Sequence, residues 1–166
     1  MNLLTQQRLK ELLTYDLETG DFFWIKNRGP VKIGDKAGSK HKDGYLHIFI
    51  EGKHYLCHRL AWMYVHGEWP KKCIDHINGN KKDNRIKNLR DVEVSQNMHN
   101  QVNPQKHNHS GMLGVSWKKS NNKWVAQISV NKKKKHIGYF DERHDAQQAY
   151  LKAKKQLQSG YVAREI

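Results

Sequence analysis

Four polar side chains within residues 75–97 have the types and spacing of a hydrolytic centre. Asp75 and His76 are adjacent, Asn88 follows His76 by 12 residues, and Asn97 follows it by 21. A neutral imidazole is available near pH 7 to take a proton from water. Carboxylate and amide oxygens suit a hard cation such as magnesium, which keeps water and takes phosphate oxygens at its remaining positions. A base beside a cation that absorbs charge is what phosphodiester hydrolysis demands. His76 fits the first task, Asp75 and Asn97 the second. Any one of these residues alone reads more simply as a turn residue bonded to nearby backbone. The ordered set points to a site.

The elements that must position this set can be read from the chain. Residues 72–76 (KCIDH) read as a strand, 78–85 (NGNKKDNR) as a polar loop, and 88–94 (NLRDVEV) as a second strand. Ser95 is placed to cap a helix over 96–102. The outline is β-β-α, which brings the end of a strand and the face of a helix to one small polar pocket. Upstream, Leu3, Leu4, Leu9, Leu12 and Leu13 line one side of a short N-terminal helix. Residues 21–26 and 45–50 read as strands, 52–56 as a return strand after a turn at Glu51–Gly52, and 58–67 as a helix stopped by Gly67.

The stretch 73–100 resembles the HNH, or ββα-metal, endonucleases, in the homing subfamily of phage and group I introns. The resemblance is carried by Asp75-His76, Asn78-Gly79-Asn80 with Asp83-Asn84-Arg85, Asn88-Leu89-Arg90 and Ser95-Gln96-Asn97. It extends upstream through His58-Arg59-Leu60-Ala61-Trp62 and Gly67-Glu68-Trp69-Pro70, to cover about residues 10–100. It implies that His76 is the general base, that Asp75 and Asn97 bind a divalent metal (Mg2+, with Mn2+ as the alternative), and that Asn88 holds the loop that orients His76. Asn100 shares a helical face with Asn97 and is the alternative ligand, whereas His99 points away. Cys57, His58, Cys73 and His76 lack the paired spacing of a structural zinc site, so both cysteines are expected as small core residues.

Charge separates the chain into two parts. Lys and Arg number 30 against 16 acidic residues, a net +14 that favours a polyanionic partner, of which nucleic acid is the usual one. Residues 1–100 carry +5 and residues 101–166 carry +9, so the second part is the more electropositive. Between them, residues 101–111 have linker composition. No apolar run approaches the ~20 residues of a membrane span. Two cysteines make no disulfide scaffold and fit a reducing interior, and the phage-type resemblance implies the cytoplasm of a bacterium, including a phage-infected host cell.

After the linker, residues 114–120, 123–130 and 134–140 read as three short strands, and 141–158 as a helix capped by Asp141 with Ala146, Ala149, Tyr150 and Ala153 on one side. Alternation sets Ser116, Lys118, Gln127, Ser129, Lys134 and His136 on one face as candidate contacts to DNA, with Val115, Trp117, Val125, Ile128, Val130 and Ile137 toward the helix. Gly114-Val115, residues 123–128, residues 137–141 and Ala149-Tyr150 resemble the plant ethylene-response-factor (Apetala-type) DNA-binding domain, which implies a sheet inserted in the major groove. Serines stand where that domain uses base-reading arginines, which favours phosphate contact. The expected architecture is therefore α+β. It comprises an HNH endonuclease domain over 1–100, with its ββα-metal core at about 70–103, a linker over 101–111, and over 112–160 a three-stranded antiparallel sheet packed on one helix. The expected activity is metal-dependent cutting or nicking of double-stranded DNA by a monomer. The alternatives are a non-catalytic DNA-binding regulator that keeps an HNH scaffold, and a nuclease acting on RNA.

Overall fold

Thr5 sets the start of the first helix: its hydroxyl accepts the Arg8 amide at 3.2 Å, and α1 runs over Gln6–Leu12 with Leu9 and Leu12 buried. The expected leucine row does not continue as helix at Leu13. The chain turns extended there, and Leu13–Tyr15 forms β1, with Leu13 and Tyr15 inward and Thr14 outward. The computed structural model describes residues 4–101, 103–104 and 107–163. Leu3, Val102, Gln105 and Lys106, which bear on the expected first helix, third helix and linker, lie outside them.

The chain divides into two units, Met1–Glu93 and Val94–Ile166. In the first, β1 pairs antiparallel with β2 (Phe22–Trp24), which pairs with β3 (Lys36–Ala37). A second sheet joins β4 (Ser39–Lys40), β5 (Leu46–Ile50) and β6 (Lys53–Leu56). Its hairpin turns at Glu51 and Gly52, both at positive φ, the geometry that matches strand twist in a two-residue loop. Then α2 (Cys57–His66) stops where Gly67 adopts the left-handed conformation and returns its amide to Met63. A two-stranded ribbon of β7 (Cys73–His76) and β8 (Leu89–Val92) completes the unit, in register Asp75 to Arg90 and His76 to Leu89. One apolar core serves all of it, with Leu9, Leu13, Phe22, Ile48, Ile50, Leu60 and Ile74 at its centre.

The second unit begins with α3 (Val94–His99). Ser95 lies inside this helix rather than capping it, because the helix starts one residue earlier. Strands β9 (Val115–Lys118), β10 (Lys123–Val130) and β11 (Lys133–Phe140) form an antiparallel sheet with β10 central, and α4 (Arg143–Leu157) packs on it. Asp141 does not cap α4. Its carboxylate holds Lys123 at 2.8 Å, and Glu142 takes the capping position without a side-chain bond. The polar stretch before β9 is tied down at its end, where the Ser110 hydroxyl donates to the Val115 carbonyl and the Ser110 carbonyl accepts from Arg143.

The sheet's inward face differs from expectation at two residues, since Trp117 is 43% exposed and lies outside the core, as does Val125. Val115, Ala126 and Ile128 pack with Ala146 and Tyr150 of α4, whereas Val125 pairs with Ser116 and Tyr139 and stands apart from that core. With Val125 and Ala126 both small and apolar, alternation alone does not say which one faces inward. The architecture throughout is α+β, and no helix among the described residues is long and apolar enough to cross a membrane.

Gly114 fixes how closely α4 approaches. Its φ is +73°, and a Cβ there would lie 2.0 Å from the Tyr150 ring. Gly114→Ala therefore lowers the stability of this unit by roughly 1–3 kcal/mol. Chemical denaturation reads this directly, and an unchanged midpoint would show that the ring has room to move.

Candidate active site

The loop between β7 and β8 is built from side chains that bond to their own backbone. Asn78 accepts from the Asn80 amide at 2.9 Å, Asn80 accepts from Lys82 at 3.1 Å, and Asp83 accepts from the Arg85 side chain at 2.7 Å. Such Asx bonds let a polar loop hold a shape without a core of its own. Asn88 closes the loop at its far end. Its amide nitrogen donates to Asn78 Oδ1 at 3.0 Å and to the Asp83 carbonyl at 2.8 Å, and its oxygen accepts the Asn78 amide at 2.9 Å.

This loop delivers Asn84 to His76. Asn84 is 1% exposed, and its Oδ1 lies 3.2 Å from His76 Nε2. An amide oxygen only accepts, so Nε2 carries the hydrogen and Nδ1 keeps the lone pair of the neutral ring. Asn84 is itself clamped from the far side of the unit. Tyr15 donates its hydroxyl to the Asn84 carbonyl at 2.7 Å, and Gly20, at φ +76°, abuts the Asn84–Arg85 backbone where a Cβ would come within 2.3 Å. Burial pushes the Tyr15 hydroxyl up to about 12, so it stays a donor throughout the working range.

His76 ends β7 and is only 4% exposed. Burial lowers its pKa below the ordinary value, against the opposing pull of the Asn84 bond and of Asp75 and Asp83. Two rings wall it in: His58 from α2 stands edge-on at 5.1 Å, and Tyr45 lies tilted at 5.9 Å. Asp75, also buried, faces Arg90 across the ribbon, and two guanidinium nitrogens reach its Oδ2 at 2.8 and 2.7 Å. Asp75, His76 and Asn88 are thus gathered in the first unit. Asn97 is half-buried in α3, which belongs to the second unit. Asn100, its rival, is buried and accepts the Val162 amide at 3.3 Å. Tyr15, Gly20, Tyr45, His58 and Asn84 were not picked out as site residues from the sequence. Of these, Asn84 carried a signal as the middle of Asp83-Asn84-Arg85, and His58 as the first residue of His58-Arg59-Leu60-Ala61-Trp62.

Residues 55–99 match the family model of the HNH endonucleases. That HNH segment takes in β7, the Asn-rich loop, β8 and α3, together with the second half of β6 and all of α2. Protein 3.8 of Escherichia phage T7 is 35% identical over 77 residues, 46% of this chain, and the chain spans 63% of that protein's length. The HNH homing endonuclease I-HmuI, solved in a study of its DNA binding and cleavage, is 28% identical with a TM-score of 0.44, over 75% of this chain and 71% of that one.

Outside the HNH segment, the six residues expected to meet DNA share one face of the second unit's sheet. The pairs Gln127–His136 and Ser129–Lys134, with Ser116 and Lys118 on the neighbouring strand, put all six on the side away from α4, and all are exposed. Tyr139 joins them, its ring tilted at 4.7 Å from that of His136 and its hydroxyl accepting from Lys118 at 3.1 Å.

His58 gives the HNH segment a measurable pH signature. It is 5% exposed, its Nδ1 has no hydrogen-bond partner, and burial drives its pKa down to about 3. The unfolded chain restores a pKa near 6.5, so between pH 6.5 and 3 the unfolded state takes up a proton that the folded state refuses. This contribution is fully present above pH 6.5 and is lost as pH falls toward 3. In chemical denaturation at pH 7.5 and 4.5, His58→Phe loses less stability on acidification than the parent. Equal losses in the two proteins would contradict the assignment.

Proposed function

We propose that this chain is a metal-dependent HNH DNA endonuclease of the homing type. The observation that carries the reading is a buried imidazole, His76, whose pKa burial lowers and whose Nε2 lies 3.2 Å from Asn84 Oδ1, which makes Nδ1 the basic nitrogen of the neutral ring. The match of residues 55–99 to HNH endonucleases and a net charge of +14 support it.

The residues fit a divalent cation in donor chemistry. Asp75 brings a buried carboxylate and Asn97 an amide oxygen, which suit a hard ion, Mg2+ before Mn2+. Asn97 is preferred to Asn100 because it closes the Ser95-Gln96-Asn97 motif that carries the resemblance. A cation held there would neutralise charge on the phosphate and on the departing 3′ oxygen. His76 takes a proton from water at Nδ1. The water oxygen bonds to phosphorus as the bond to the 3′ oxygen breaks in line, leaving a 5′-phosphate and a 3′-hydroxyl. Asn84 fixes the tautomer, and Asn88 fixes the loop that carries Asn84.

The second unit is the binding module in this account, similar to the ethylene-response-factor domain. It lays Ser116, Lys118, Gln127, Ser129, Lys134 and His136 against the phosphates of double-stranded DNA. Domains over 1–100 and 112–160 joined by the 101–111 segment, acting as a monomer in the cytoplasm of a bacterium, complete the proposal. One active centre per chain predicts nicking or sequential cutting. A second reading, a DNA-binding regulator, draws on one observation. Arg90 already engages Asp75 through two nitrogens, as it would in a scaffold that no longer takes a cation.

The test is incubation with plasmid and phage DNA, with and without magnesium, beside His76→Ala. The proposal expects metal-dependent cutting, lowered roughly 10²–10⁴-fold in the variant while duplex binding is kept. Binding without cutting across several metals and targets would transfer the assignment to the regulator. Cutting of RNA but not duplex DNA would move it to a ribonuclease.

A further inference from the structure

At the start of the second sheet, His41, Asp43 and His47 offer three ligand atoms that all lie within 4.8 Å of one another. Their arrangement is organised by the turn that leads into β5. His41 and Tyr45 bond backbone to backbone at 3.0 Å, and Gly44 returns its amide to His41 at 2.9 Å. The Asp43 carboxylate is split between two uses. Its Oδ1 accepts the Tyr45 amide at 2.9 Å, while Oδ2 lies 3.3 Å from His41 Nδ1 and 3.4 Å from His47 Nε2. The two imidazoles stack at 4.5 Å, so they reach the same carboxylate oxygen from one side.

The two separations from Asp43 Oδ2, 3.3 and 3.4 Å, are those a tetrahedral ion imposes, and the third lies within 4.8 Å. Ligand bonds of about 2.0–2.1 Å place neighbouring donors about 3.3–3.4 Å apart in a tetrahedron. Two imidazole nitrogens with one carboxylate oxygen form a donor set for zinc and its first-row neighbours, and a poor one for magnesium, which demands oxygen and water. We propose that His41, Asp43 and His47 form a second metal site, distinct from Asp75 and Asn97, that takes Zn2+ or a similar borderline divalent ion. Three protein ligands leave a fourth position for water or another ligand.

The site is tied to the candidate active site by the chain itself. Tyr45 lies between Asp43 and His47 in sequence, and its ring lies 5.0 Å from His58 and 5.9 Å from His76. Lys81, from the Asn-rich loop, donates to the Asp43 carbonyl at 3.0 Å and sits over the Tyr45 ring. An ion joining His41 to His47 fastens the segment that forms one wall around His76. The site does not depend on the chain being a nuclease.

Zinc binding is measured by equilibrium dialysis at micromolar zinc with excess magnesium present. The full chain carries His76→Ala, so that the imidazole of the first site is not counted. The proposal expects one zinc per chain, with affinity lowered about ten-fold or more by each of His41→Ala, Asp43→Asn and His47→Ala. His54→Ala, on the neighbouring strand, leaves it unchanged. Cobalt bound in place of zinc gives the intense visible bands of tetrahedral ligation, and these vanish with the same three substitutions. Thermal melts without added metal confirm that each variant is folded. The site is refuted if the folded His41→Ala/His47→Ala double variant binds as much zinc as its parent, or if the parent binds none.

Discussion

The hydrogen bond between Asn84 and His76 is the constraint around which the first unit is arranged. A buried imidazole has two tautomers, and only a fixed acceptor chooses between them. That acceptor comes from a loop with no apolar anchor of its own, so its position has to be imposed. Asx bonds along residues 78–85 and the clasp of Asn88 impose it from within, and Tyr15 and Gly20 impose it from across the unit. The N-terminal helix and first sheet, which carry no catalytic group, thereby acquire a role: they hold Tyr15 and Gly20 against Asn84.

The same economy appears in the charges. The ribbon register puts Asp75 opposite Arg90, which keeps a buried carboxylate paired at modest cost. His76 and His58, both sequestered, are held toward the neutral form by burial. In the second unit the roles are reversed. Lys118 and Lys134 stay on the exposed face of the sheet, and Val115, Ala126 and Ile128 turn to α4, which separates a basic surface from its support.

Much of the site was legible in the sequence because its parts are local. Asp75, His76 and Asn88 fall on two paired strands and the loop between them, and Asn-rich loops announce themselves by composition. Residues that act from afar left no such trace. Tyr15 reaches Asn84 across 69 positions, and nothing in its neighbourhood marks it as a clamp. Two- and three-residue strands such as β1, β3 and β4 are too short to show a period, so the sheets around the core were only partly foreseen. The burial of His58 against His76 depends on how α2 packs, which its neighbours in sequence do not announce. Ser95 and Asp141 are good capping residues that the chain does not use as caps: Ser95 lies inside α3, and the Asp141 carboxylate is taken by Lys123.

Nitrogen-15 NMR of the His76 ring, in the metal-free protein at pH 7, tests the central claim most directly, because the two tautomers have distinct ring-nitrogen shifts. The account predicts a neutral ring with hydrogen on Nε2 and an unprotonated Nδ1, a pattern lost in Asn84→Ala. A ring protonated on both nitrogens at that pH, or one carrying its hydrogen on Nδ1, would contradict it.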